Sequence, residues 1–177
     1  MSERIVLRNG IVVTLNEADD VLFGGHVVIE DDRIAEVSDQ PVAADGAKVI
    51  DATDKIVMPG FVDFHYHTAL GKGWSDYLPL WEYLQTCWYP MIRALDPESA
   101  YWAALASYSE SIKCGVTTVN DMYRQLGGLA RAAEEIGIRA VLSNDVADDE
   151  HDLDTLEDNK EAFHASNGDA TAPWIRW

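Results

Sequence analysis

The first 57 residues alternate short apolar runs with pairs of turn-forming residues. The runs RIVLR, IVVTL, HVVIE and RIAEV are rich in β-branched side chains, which favour strands. Between them stand Asn9-Gly10, Gly24-Gly25 and Asp31-Asp32, which are typical of turns. Apolar residues at helical spacing are missing from this part. The pattern therefore predicts a small antiparallel β-sheet over residues 1–57.

From Met58 onward the pattern changes to strands and helices in alternation. Predicted strands are FVDFHYH, VTTVNDM and IRAVLSNDV, and the residues between them have apolar positions at helical spacing. A further acidic helix is predicted for LDTLEDNKEAFHAS, and the final residues show no periodicity. This order is typical of a parallel sheet covered by helices, either an open doubly wound sheet or a (β/α)8 barrel.

Several helix ends can be placed from single residues. Asp96 suits the N-cap of a helix, Pro97 its first position, and Gly115 the position just after its end. The next helix is closed by Gly137 in the same way. In the preceding segment, LPLWEYLQTCWYPMIRAL, we expect Pro90 to break or bend the helix.

The charge balance limits the partners of the protein. The chain has 31 acidic and 13 basic residues, for a formal net charge of −18. Binding to nucleic acid or to an anionic membrane needs a basic surface, so we expect neither partner. Acidic side chains scattered along the chain form a solvated surface, which is typical of proteins adapted to high salt and also of ordinary acidic proteins.

Other features of the composition predict an intracellular protein. No apolar run approaches the length of a membrane span, and charged residues at the N-terminus replace the apolar region of an export signal. Cys87 and Cys114 form neither a disulfide framework nor a CxxC motif. We therefore expect the protein in the cytoplasm, while the composition leaves open whether it is a homo-oligomer.

The strand FVDFHYH ends in two histidines with one residue between them. Alternate residues of a strand share a face, so His65 and His67 project together, with Asp63, and Tyr66 lies on the opposite face. Enzymes with parallel sheets place their chemistry at this end of a strand. Imidazole binds zinc, iron or nickel, and such a site needs at least one more protein ligand. The alternative is one histidine in the core and one at the surface.

Around this pair the chain resembles the amidohydrolase superfamily. The resemblance rests on MPGFVDFHYHTAL, DYLPLWEYLQTCWYP, SYSESIKCGVTTVNDMY and AAEEIGIRAVLS, in this order, and extends to about Asn144. Within the superfamily it looks like the branch that holds cytosine-deaminase-like, chlorotriazine-hydrolase-like and methylthioadenosine/S-adenosylhomocysteine-deaminase-like enzymes. The resemblance implies an α/β fold, a distorted (β/α)8 barrel preceded by an N-terminal β segment that forms part of a small sandwich. By this reading residues 1–57 are the β segment and residues 58–177 the first part of the barrel.

The resemblance also implies a metal-dependent hydrolase. One divalent metal ion, usually zinc or iron, activates a water that attacks an electron-poor ring carbon, and an amine or a halide leaves. By motif His65 and His67 are metal ligands. Two more histidines, an aspartate and a proton-shuttling glutamate complete the family's site, and this chain contains no match to them. His151 and His164 fit no ligand motif, and we expect both at the surface.

Substrate contacts are predicted less sharply. In adenosine-derivative deaminases of this branch a glutamate holds the ribose hydroxyls, and the matching residue here is Ile92. This difference favours a base or a smaller heterocycle over a nucleoside. We place Trp74 and Asp121 in the substrate pocket, with plain packing as the alternative for Trp74 and a structural cap for Asp121. Trp81 and Trp88, seven residues apart, are expected to pack on one helix face.

Three functions follow from these observations. The first is hydrolysis of a non-peptide C–N bond in a heterocyclic amine, most simply a deamination. The second is a dechlorinating or cyclic-amide hydrolase of the same superfamily, and the third an inactive truncated chain or interaction module. A (β/α)8 barrel takes about 250 residues, whereas 120 residues follow position 57. We therefore expect the native protein to be longer than 177 residues.

Overall fold

The protein has two compact units. A computed structural model describes residues 3–68, 75, 77–143 and 175–176. The units are Met1–Pro59 and Gly60–Trp177. No helix in the described part of the chain is long and apolar enough to cross a membrane. The predicted acidic helix at residues 153–166, and also Trp74, His151 and His164, lie outside the described residues.

The first unit is a five-stranded sheet of mixed direction. Its strands are β1 (Arg4–Val13), β2 (Val21–Glu30), β3 (Arg33–Ser38), β4 (Lys48–Asp51) and β5 (Ile56–Val57). The order is β3-β2-β1-β4, and β5 also pairs with β1. Strands β1, β2 and β3 are antiparallel, whereas β4 and β5 run parallel to β1. The prediction of a purely antiparallel sheet was therefore wrong for the last two strands.

The parallel strands result from a crossover between β3 and β4. The connection at residues 39–47 leads from one edge of the sheet to the far side of β1. Val42 in this connection is buried in a cluster with Val6 and Val28. The Arg8 guanidinium also donates a hydrogen bond of 3.0 Å to the carbonyl of Val42. Burial of an apolar side chain and a satisfied carbonyl hold the crossover on the sheet.

Two of the three predicted turns are bulges inside long strands. Asn9-Gly10 lies within β1 and Gly24-Gly25 within β2, and the register of the pair shifts on both sides of the Gly10–Gly25 pair. Asn9 and Gly24 have positive φ angles of 65° and 71°, which suit an irregular position in a strand. Asp31-Asp32 does form the predicted turn, between β2 and β3.

The second unit alternates parallel strands with helices. Its strands are β6 (Phe61–Tyr66), β7 (Val116–Met122), β8 (Arg139–Ser143) and the short β9 (Ile175–Arg176). All neighbours are parallel, and the spatial order β6-β7-β8-β9 follows the order along the chain. A doubly wound sheet reverses its order at a switch point. The described sheet has no such reversal, as expected for the sequential strands of a barrel.

The helices of this unit pack apolar side chains against the sheet. They are α1 (Leu80–Tyr83), a π-helical segment (Leu84–Trp88), α2 (Tyr89–Arg93), α3 (Pro97–Lys113) and α4 (Leu126–Ile136). Ala100 and Ala104 of α3 and Leu129 of α4 are fully buried and share one core with Val119 of β7. Burial of this apolar surface is the main favourable contribution to folding of the unit.

Local signals placed the ends of α3 and α4 correctly. Asp96 is the N-cap of α3, and its carboxylate accepts a hydrogen bond of 2.7 Å from the Ser99 backbone N–H. Pro97 takes the first helical position. Gly115 and Gly137, with φ angles of 86° and 78°, follow the ends of α3 and α4. These conformations suit glycine because it lacks a Cβ atom.

We predicted that Pro90 breaks or bends the helix. The helical residues run on from Leu80 to Arg93 without a break, but the segment just before α2 is π-helical. Pro90 has no N–H to donate and its ring needs room beside a carbonyl of the preceding turn. The wider π-helical turn ends just before α2 and Pro90 lies in the first turn of α2. A π turn also rotates the later side chains relative to the earlier ones. Trp81 is therefore 64% exposed, whereas Trp88 packs against the core, so the two do not share a face.

Two adjacent glycines of α4 provide a matched test of this packing. A Cβ atom at Gly128 would lie 2.6 Å from the Pro97 carbonyl oxygen, whereas one at Gly127 would meet nothing within 4 Å. We expect Gly128→Ala to destabilise the protein by about 1–3 kcal/mol, because the backbones of α3 and α4 must separate. Gly127→Ala should stabilise it by up to about 1 kcal/mol through helix propensity. Denaturant unfolding measures both, and equal effects would contradict the described packing.

Candidate metal centre

The end of β6 brings two imidazole rings together. The Nε2 atoms of His65 and His67 are 3.1 Å apart. The ring centroids are 5.0 Å apart and the ring planes cross at 87°. His65 is exposed and His67 partly buried. The two rings therefore share one face, as the alternation of a strand predicts, while the Tyr66 ring packs on Tyr108 of α3 with centroids 5.9 Å apart.

A carbonyl of the neighbouring strand orients His67. The Nδ1 atom of His67 lies 2.9 Å from the carbonyl oxygen of Met122, the last residue of β7. A carbonyl oxygen only accepts hydrogen bonds, so Nδ1 carries the proton in this contact. In the neutral ring Nε2 then has a free lone pair, directed towards His65. This is the arrangement by which proteins fix a metal-binding histidine.

The geometry of the pair fits a metal ion. Zinc binds imidazole nitrogen at about 2.0–2.1 Å, so two such ligands stand roughly 3 Å apart. The observed Nε2–Nε2 distance of 3.1 Å matches this spacing. The residues that the structure describes contain no group of three or more His, Cys, Asp or Glu able to hold a metal.

The backbone around the pair is held by side chains of the same sheet. The Asp63 carboxylate accepts a hydrogen bond of 3.3 Å from the His65 backbone N–H. The Asn120 side-chain amide donates one of 3.1 Å to the carbonyl of Phe64. The Asp63 carboxylate thus contacts the backbone of His65 and not its imidazole ring.

Asp121, which we predicted in the substrate pocket with a structural cap as the alternative, lies at the end of β7. Its side chain is fully buried. One carboxylate oxygen accepts hydrogen bonds from the Thr68 hydroxyl at 2.5 Å and the Tyr108 hydroxyl at 2.7 Å, and the other accepts one from the Thr68 backbone N–H at 3.0 Å. Both carboxylate oxygens are thus engaged by neighbouring residues, which supports the structural alternative, while the substrate-pocket role stays a prediction.

Burial dominates the electrostatics of this cluster. Loss of solvent raises the pKa of the Asp121 carboxyl, and hydrogen bonds from Thr68 and Tyr108 oppose that rise. Burial, together with the Asp121 charge, also raises the pKa of the Tyr108 phenol well above its ordinary value. Tyr108 therefore remains a hydrogen-bond donor throughout the physiological pH range.

Aromatic rings cover one side of His67. The Trp88 ring lies across it, with centroids 5.8 Å apart and planes at 70°. Tyr123 packs against Trp88, with centroids 5.5 Å apart and planes at 72°. The π-helical segment ends at Trp88, and so this irregular turn places the ring against the histidine. Packing, which we preferred for Trp88, is what the structure shows.

The sequence did not predict the hydrogen bonds by which Met122, Thr68 and Asp121 fix the position of the histidine pair. Met122 contributes a backbone carbonyl, which no side-chain pattern can reveal. Thr68 and Asp121 are 53 positions apart, and nothing local links them. One signal was available, since His67 and Asp121 both stand at the carboxyl ends of predicted parallel strands, and such ends meet at one edge of a sheet.

The match to a family model covers most of the second unit. Residues 56–175 match the model described as "Amidohydrolase family". Among curated proteins, a 5-methylthioadenosine/S-adenosylhomocysteine deaminase of Symbiobacterium thermophilum is 34% identical over 175 residues, which are 95% of this chain and 40% of that protein. The chain thus spans about two fifths of this relative's length.

Solved structures show the same fold. A mutant of atrazine chlorohydrolase from Arthrobacter aurescens, complexed with zinc and atraton, gives a TM-score of 0.80 at 17% identity and covers 97% of this chain and 45% of its own. Guanine deaminase from C. acetobutylicum, with guanine bound in its active site, gives a TM-score of 0.76 at 20% identity. The match covers 98% of this chain and 45% of the guanine deaminase chain. The family match, the relative and the histidine-bearing strand agree, and the chain belongs to the amidohydrolase family.

Proposed function

We propose that this chain is the N-terminal part of a metal-dependent hydrolase that acts on a non-peptide C–N bond of a heterocyclic amine. The observation that carries the proposal is the pair of Nε2 atoms 3.1 Å apart at the end of β6. His65 and His67 are the proposed metal ligands. A bound divalent ion would supply an activated water at neutral pH.

Four residues of the candidate site have a defined task in this proposal. His65 and His67 present their Nε2 lone pairs to the metal. The Met122 carbonyl keeps the proton of His67 on Nδ1. Trp88 packs on the His67 ring and limits the access of solvent from that side. Zinc is our first choice of metal, since imidazole suits it and the similar chlorohydrolase was solved with zinc.

Deamination is favoured over the other reactions of the family. The relative with 34% identity is named as a deaminase, whereas the guanine deaminase, at 20% identity, shows the fold alone. Likeness to the atrazine chlorohydrolase, at 17% identity, concerns the fold alone. A dechlorinating or cyclic-amide hydrolase therefore remains the second candidate, and an inactive fragment or interaction module the third.

The position of Ile92 bears on the substrate. Its side chain is 2% exposed and belongs to the core of the second unit. A hydrocarbon side chain accepts no hydrogen bond, so it cannot replace a glutamate that holds ribose hydroxyls. We therefore propose a free base or a smaller heterocycle as substrate, although the relative is named for adenosine derivatives.

The proposal extends to the architecture. Residues 1–57 would form the N-terminal segment of a β-sandwich, and residues 58–177 the first part of a (β/α)8 barrel. Support comes from the sequential parallel order of β6 to β9 and from the TM-score of 0.80 with the chlorohydrolase. The substrate would be a small molecule, with no nucleic acid or membrane as partner, and we keep the cytoplasm as the expected compartment.

Zinc binding tests the two proposed ligands. In the natural full-length protein, His65→Ala and His67→Ala should each weaken zinc binding by more than about 100-fold, because loss of an outer-shell partner alone costs 10- to 100-fold. Competition with a chelator of known affinity gives the dissociation constants. His164→Ala, a histidine without a ligand motif, is the control and should bind zinc as the wild type does. Unchanged affinity in the His65 and His67 variants would refute the assignment.

Ammonia release tests the reaction and its substrate class. The full-length protein should release ammonia from aminated bases, lose this activity after chelation and regain it with zinc. We expect kcat/KM to be about 10- to 100-fold lower for the matching nucleosides, because a ribose hydroxyl that leaves water without gaining an acceptor costs about 1–3 kcal/mol and Ile92 provides none. A preference for the nucleoside would contradict the role given to Ile92. Chloride release without ammonia would favour the dechlorinating alternative.

A further inference from the structure

His67 is attached to β7 at two places. Its ring donates from Nδ1 to the Met122 carbonyl at 2.9 Å. The next residue, Thr68, is fully buried and donates its backbone N–H to Asp121 at 3.0 Å. Asp121 and Met122 are consecutive residues at the end of β7, so a single dipeptide holds both the ring and the backbone that follows it.

Asp121 is itself held in place by α3. The Tyr108 hydroxyl donates to one carboxylate oxygen at 2.7 Å, and the Thr68 hydroxyl donates to the same oxygen at 2.5 Å. Tyr108 is fully buried in the core. Hydrogen bonds to a carboxylate are stronger than those between neutral groups. The carboxylate therefore ties three elements together, namely α3, β7 and the residue after His67.

Packing alone does not account for a carboxylate at this position. Its side chain has no exposed surface, and burial of a charged group costs free energy that an apolar side chain of similar size would avoid. What the carboxylate adds is a set of directional acceptors for Thr68. Those acceptors fix the backbone one residue from the proposed metal ligand.

We infer that Asp121 is a positioning residue of the metal centre, which holds His67 in its metal-binding orientation through Thr68. This inference rests on the proposed function, because it needs His67 to be a ligand. Asp121 touches neither imidazole ring in a described hydrogen bond, so the geometric part of its effect is transmitted by the Thr68 backbone and hydroxyl. The Asp121 charge also interacts with the His67 ring through space, and the Thr68 variants, which keep that charge, separate the two routes. We therefore predict that changing Asp121 lowers metal affinity, whereas a change that only destabilises the fold does not.

The test compares zinc binding among four variants of the natural full-length protein. Asp121→Asn keeps the size of the side chain but sets an NH2 group against at least one of the donors. Thr68→Val removes only the hydroxyl bond, and Thr68→Ser restores it. Leu129→Ala, in the fully buried core of α4, is the control for general destabilisation. Zinc affinity is measured by competition with a chelator. Thermal stability is measured on the metal-free proteins, and the His67 tautomer is determined on the same metal-free proteins by nitrogen NMR.

We expect Asp121→Asn to weaken zinc binding by about 10- to 100-fold, the usual effect of an outer-shell change. Thr68→Val should also weaken zinc binding, but by a smaller factor, and Thr68→Ser should have wild-type affinity. The metal-free Asp121→Asn and Thr68→Val proteins should show mixed His67 tautomers, whereas Leu129→Ala should lose stability alone. If Asp121→Asn does not fold, the two Thr68 variants decide the question.

Two results would overturn the inference, and they can be told apart. Wild-type affinity in Asp121→Asn and Thr68→Val, together with lower thermal stability, would make Asp121 a purely structural residue while the proposed function stands. A wild-type protein that binds no zinc at all would remove the proposed function, and the inference with it.

Discussion

The hydrogen bond from the His67 ring to the Met122 carbonyl is the contact on which the candidate site depends. It joins the ends of two neighbouring parallel strands, and it determines which nitrogen of His67 is free. Without it, two adjacent imidazoles would adopt either tautomer and many relative orientations. With it, the two Nε2 atoms converge at a distance that suits a shared metal ion. The core of α3, α4, β7 and β8 keeps the two strand ends together.

Features set by local chemistry were predictable from the sequence. Asp96, Pro97 and Gly115 mark the ends of α3 because capping and positive φ angles depend on a few neighbouring residues. His65 and His67 project to the same side because the side chains of a strand alternate with a period of two residues. The family resemblance, which rested in part on the strand with His65 and His67, was confirmed by the match over residues 56–175.

Features set by distant partners were not predictable in this way. Gly24-Gly25 has the composition of a turn, yet its pairing with β1 makes it a bulge within a strand. The crossover before β4 depends on burial of Val42 with Val6 and Val28. Asp121 accepts hydrogen bonds because Thr68 and Tyr108, from other parts of the chain, meet it in space. In each case the deciding contact spans elements that the sequence pattern cannot join.

The central claim is that His65 and His67 bind one metal ion together. The most direct measurement is an anomalous difference map, recorded at the zinc absorption edge, from crystals of the full-length protein grown with zinc. The account predicts one peak at about 2.0–2.1 Å from the Nε2 atoms of both histidines, the bonding distance of zinc to imidazole. A zinc peak bound elsewhere, with the two rings left uncoordinated, would contradict it.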